Sequence, residues 1–100
     1  MDTATAPATA PSVPLTWDAA TLAEAIALAD GGGTVREAAA TLRQRYAPLR
    51  VVVVDALDMR GETAAATGSR RALYFGSSDG HCWQVTQDPA RVSGLFLVDR

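Results

Sequence analysis

Apolar positions recur at helical spacing twice in the first half of the chain. Ala19, Leu22, Ile26 and Ala29 form one stripe, which predicts a helix from about Trp17 to Asp30 with Thr16 as N-cap. Gly31-Gly32-Gly33 ends it, because glycine tolerates the left-handed conformation of a helix C-cap. The run Thr34-Val35-Arg36-Glu37 has capping-box spacing and starts a second helix. Val35, Ala38, Ala39, Leu42 and Tyr46 make its apolar face, and Pro48 stops it. The short glycine link makes the pair an antiparallel hairpin.

The second half changes period. Arg50 to Val54 holds four consecutive valines, whose branched side chains disfavour helix and favour a buried strand. Such a strand is central, or lies at an edge covered by a partner. Residues Asp55 to Ser69 are polar and glycine-bearing and read as a mobile loop. Strands are predicted at Arg70 to Gly76, His81 to Thr86 and Ser93 to Val98. A three-residue loop, Ser78-Asp79-Gly80, sets the hairpin between the middle two. In that register Leu73, Phe75, Trp83 and Val85 face the core, while Tyr74, Cys82, Gln84 and Thr86 lie on the open face. The predicted fold is α+β: an N-terminal antiparallel helix hairpin packed on a mostly antiparallel four-stranded sheet.

Composition places this domain at residues 15–100, after an Ala/Thr/Pro-rich tail over 1–14 that is expected to be disordered. That tail has no basic region followed by an apolar run, and no stretch reaches transmembrane length, so a cytoplasmic location is expected and no membrane partner. The charge is slightly acidic, with 9 basic residues, all arginine, against 11 acidic ones. No basic stripe appears beyond Arg70-Arg71, which argues against a nucleic-acid partner.

Candidate chemistry is sparse. His81-Cys82 offers an imidazole and the chain's single cysteine. Both are ligands for soft or borderline metals, but adjacent strand residues point to opposite faces. A metal or cluster held there, through Cys82 with or without His81, needs further ligands from a protein interface; a homo-oligomer is left open. Asp55, Asp58 and Glu62 share a loop without EF-hand spacing. Gly31-Gly32-Gly33 lacks the strand and lysine of a phosphate loop. No nucleophile, base and orienting group converge, so a non-catalytic role without a resident cofactor is expected. Tyr74, Cys82, Gln84 and Thr86 are the expected interface, with Cys82 dispensable for folding.

The stretch from Asp79 to Pro89, with its Asp-Gly-His-Cys turn and Thr86-Gln87-Asp88, is continued by Ser93-Gly94-Leu95. Together with Leu42-Arg43 and Tyr46-Ala47-Pro48 upstream, it resembles a family of short uncharacterised bacterial proteins often encoded among nitrogen-fixation genes. The resemblance spans roughly residues 22–98. It implies an accessory protein whose larger partner is a nitrogenase component or an assembly factor for its metallocofactor. Family members tend to carry a second cysteine and a denser acidic cluster after the first strand. This chain reads Val54-Asp55-Ala56-Leu57-Asp58 there, so a two-cysteine metal site is not implied.

Overall fold

The computed structural model describes residues 16–31 and 33–100. The disorder expected of the tail falls outside the described residues. The elements are α1 (Ala19–Ala29), α2 (Val35–Arg45), β1 (Arg50–Val54), β2 (Ala66–Thr67), β3 (Arg71–Ser78), β4 (Trp83–Thr86) and β5 (Gly94–Asp99). Short 3-10 turns stand at Ala56–Met59 and Pro89–Arg91.

Side-chain capping decides where the helices begin. α1 starts at Ala19, later than predicted, because Asp18 rather than Thr16 is the cap; its Oδ1 accepts from Thr21 N at 2.8 Å. Trp17 therefore precedes the helix and packs against Tyr46 and Phe75, with ring centroids 5.3 and 5.7 Å away. The predicted capping box of α2 is present. Thr34 Oγ1 accepts from Glu37 N at 3.1 Å, and Thr34 N donates to Glu37 Oε1 at 2.8 Å. Across the hairpin Glu24 accepts from the Tyr46 hydroxyl at 2.7 Å and pairs with Arg45 at 2.9 Å. Burial, and then the Glu24 carboxylate, push the Tyr46 phenol up to about 12.

The sheet has five strands, not four, and it is mixed. The order is β1-β5-β3-β2, with β4 also paired to β3. β1 runs parallel to β5, and every other pairing is antiparallel. The parallel pair follows from the chain path: β1 leaves the helices at one edge, and β5 enters between it and β3 last. β1 is thus an edge strand. Val51 is 3% exposed under the helices, but Val52 on the other face is 43% exposed. The helices cover Val51, Leu73, Phe75, Leu95 and Leu97, together with Ala25, Ala29, Ala39 and Leu42. Alanine at the helix contact surfaces lets the backbones approach closely.

The segment read as a mobile loop carries ordered structure. Asp55 caps its 3-10 turn by accepting from Leu57 N at 2.8 Å. Met59 is buried with Ala72 and Val98 on the face away from the helices. This second, smaller apolar cluster is absent from the sequence reading, which supplied only one core.

Asp30 and Arg71 join helices to sheet. The Asp30 carboxylate accepts from Ser69 Oγ (2.7 Å), Ser69 N (3.0 Å), Arg70 N (2.6 Å) and Arg71 N (2.9 Å). In return the Arg71 guanidinium, 2% exposed, donates to the carbonyls of Ala29, Gly31 and Gly33. Arg70 donates to the last two of these as well. Two cations thus meet the negative end of α1. The Ser69 hydroxyl, then the Arg70 amide, hold the Asp30 carboxyl at about 2, below its ordinary 3.8.

A lowered carboxyl stabilises the fold fully above its unfolded value and loses that effect as pH falls through the folded value. For Asp30 the window runs from about 3.8 down to about 2. Asp30→Asn is expected to lower the melting temperature at neutral pH. The gap between wild type and mutant should shrink as pH falls through that window, read by circular dichroism melts. Arg71→Met is expected to cost about 3 kcal/mol, since it takes a charged donor from the carbonyl of buried Ala29 and the tie from helix end to sheet with it. Urea denaturation measures it.

Candidate functional site

The turn between β3 and β4 is built on one aspartate. Asp79 Oδ1 accepts from His81 N at 2.8 Å and Cys82 N at 2.9 Å, and Ser78 Oγ accepts from Gly80 N at 3.1 Å. Gly80 adopts the left-handed region, with φ of 96°. The Cys82 amide, then the His81 amide, lower the carboxyl of Asp79 below its usual range. Satisfying both amides closes the loop over four residues, Asp79 to Cys82, so that Ser78 pairs with Trp83.

The predicted three-residue loop pairs Trp83 with Phe75; here Trp83 pairs with Ser78, a shift of three, and because the shift is odd every side chain of β4 changes face. Trp83 and Val85 lie opposite Ser78 and Gly76, on the face away from the helices. Gln84 and Thr86 pair with Ser77 and Phe75, on the helix side. The four residues expected to form one interface therefore do not share a face. Tyr74 is on the outer face, Gln84 and Thr86 are on the inner one, and Cys82 is exposed in the loop.

What the outer face presents instead is an aromatic patch centred on Trp83. Gly76 pairs with Gly94, making a row without side chains across β3 and β5. The indole lies over that row. A Cβ on Gly94 would stand 3.1 Å from two of its ring carbons, and one on Gly76 would stand 3.3 Å from another. Phe96 meets the indole edge-on at a centroid distance of 6.2 Å. Tyr74 and Val52 lie beside Phe96 in the next row. Despite this seating, 40% of Trp83 stays in solvent. Arg50 flanks Gly94 on β1 and is exposed too.

The remaining candidates separate. His81 and Cys82 are both exposed in the turn. Among the described residues no group of three or more His, Cys, Asp or Glu side chains stands close enough to hold a metal ion. Asp55 is engaged as a cap. Arg71 is an internal tie, and the carbonyls of Gly31 and Gly33 accept from arginine. Sequence reading missed the Trp83 patch. Its signal was the pair Gly76 and Gly94, two glycines inside strands, which mark a close approach of another group.

The chain has no significant match among protein families, curated proteins or solved structures. No helix of the described residues is long and apolar enough to cross a membrane.

Truncating a buried aromatic costs about 3–5 kcal/mol. Half-exposed Trp83 is expected to cost less on Trp83→Ala, about 1–2 kcal/mol by chemical denaturation. The Cys82 thiol should react in the folded protein with a disulfide reagent as fast as a free thiol does. Cys82→Ser should change stability by less than about 0.5 kcal/mol.

Proposed function

We propose that this chain is a non-catalytic accessory protein that docks on a larger protein through the outer sheet face. One observation carries the reading. The fold gives up two side chains, at positions 76 and 94, and fills the space with an indole that remains 40% exposed. A tryptophan used only for stability gains most from full burial. A tryptophan held rigid at the surface, with phenylalanine, tyrosine and arginine around it, has the composition of an interface hot spot. Rigid seating also lowers the entropy lost on binding.

The resemblance to proteins encoded among nitrogen-fixation genes supplies the partner class: a nitrogenase component or an assembly factor for its metallocofactor. The His81-Cys82 turn adjoins the patch through Trp83, so docking brings the thiol to the rim of the contact. A metal or cluster shared there would draw its other ligands from the partner.

The test uses purified nitrogenase component proteins immobilised against the full chain. Wild type is expected to be captured, and Trp83→Ala, folded by circular dichroism, to lose at least tenfold in affinity. Equal capture of both proteins removes the patch from the interface. Failure of wild type to bind any component removes the nitrogenase context.

A further inference from the structure

Among the described residues the outer edge of β1 is unpaired, and its surroundings are cationic. Between that edge and α2 lies a groove of about 530 Å³ lined by Arg36, Ala39, Arg43 and Val51 to Val53. It contains two guanidinium groups and no carboxylate. The ion pairs among the described residues engage Arg45 and Arg71, leaving Arg36 and Arg43 without an acidic partner there. Arg50 stands exposed at the start of the same strand.

The backbone of the edge points outward at Val51, where its carbonyl accepts from a side chain of α2. Arg43 Nε and Nη2 donate to the Val51 carbonyl at 3.0 and 2.7 Å. The Val51 carbonyl therefore lies outside the ladder to β5, and the guanidinium sits where the amide of a neighbouring strand would donate. Strand alternation turns the Val53 amide and carbonyl toward the same side. Four valines in a row, with no proline or bulge, are an edge suited to accepting another strand.

We propose that the outer edge of β1, with Arg36 and Arg43, binds an extended acidic segment of a partner protein by strand addition. The incoming amide takes over the Val51 carbonyl, and Arg43 moves to a carboxylate of the incoming strand. Alternate side chains of that strand face α2 and meet Arg36 and Arg43. Those between them continue the outer face beside exposed Val52. The fitting sequence thus alternates acidic and apolar residues. Charge selects this occupant over a second copy of the chain. Pairing β1 with itself antiparallel about a two-fold axis brings Arg36 and Arg43 of both copies together across the joint, and like charges there oppose it.

The surface adjoins the Trp83 patch at Arg50 and Val52 but does not include Trp83, and the assay below uses neither a nitrogenase component nor a Trp83 variant. Fluorescence anisotropy of the full chain is measured with a labelled hexapeptide of alternating Glu and Val. Two further peptides are compared: one alternating Lys and Val, and the acidic peptide N-methylated at alternate amides to remove one edge of donors. The acidic peptide is expected to bind, weakening as salt rises. Amide chemical-shift changes should be confined to Arg50 to Val54 and the neighbouring face of α2. The basic peptide should bind at least tenfold more weakly, and so should the methylated one, which keeps the charges but not the strand. Arg36→Ala should weaken the acidic peptide several-fold. The methylated-peptide arm uses wild type, so it needs no variant to fold. No binding of the acidic peptide, equal binding of the basic or methylated peptide, or a concentration-dependent dimer joined through β1 would overturn the proposal.

Discussion

The rest of this structure depends on Asp30. A carboxylate at the C-terminal end of a helix faces the negative end of the helix dipole, a poor place for it by itself. Here it is held because four donors from one short turn converge on it. That turn opens β3, the strand on which every antiparallel pairing in the sheet is built. Arg71, next along, returns the contact by donating to carbonyls at the end of α1 and in the glycine link. Its Nε stands 2.9 Å from Asp99 on β5, out of line for a hydrogen bond. The opposite charge still lowers the cost of burying the guanidinium. Helix hairpin, turn and sheet are therefore fixed to one another through two side chains of opposite charge.

Much of the fold was legible where one local rule dominates. The capping box at Thr34 and Glu37 stands alone as a start signal, and the valine run admits little but a strand. The start of α1 was harder, because Thr16 and Asp18 are both good caps two residues apart. Only the packing of Trp17 on Tyr46 and Phe75 favours the second. The partner of β1 could not be read. Parallel pairing with β5 is a contact between strands about forty residues apart, and no turn links them.

The hairpin register shows a different limit. The three-residue loop expected at Ser78-Asp79-Gly80 rests on gathering the apolar side chains of β3 and β4 onto one face. That criterion assumes a single core. The protein has a second one, formed when Met59 folds back over Ala72 and Val98, and it gives Val85 and Tyr74 an apolar setting on the outer face. With two cores, segregation no longer selects the register, and the amides captured by Asp79 do. The candidate site followed the register. Placing Trp83 under the helices hid the patch and put Gln84 and Thr86 on the wrong side.

The outer face also has a gradient that explains why the patch sits where it does. In the row Val54, Val98 and Ala72 the 3-10 segment reaches across, and Val98 is buried. In the next row, Val52, Phe96 and Tyr74, that cover ends, and Val52 emerges at the edge. In the third, Arg50, Gly94, Gly76 and Val85, only the indole from the adjoining turn covers the sheet. Side chains of ordinary size in that row would lift Trp83 off the sheet and loosen it. Glycine at both central positions brings the ring down onto the backbone, against Phe96, with its outer surface in water. The same step-down leaves Val52 and the β1 edge uncovered beside it. The chain's open aromatic surface and its open strand edge thus adjoin at one end of the sheet. They are set there by how far a single loop, residues 55–65, reaches across it.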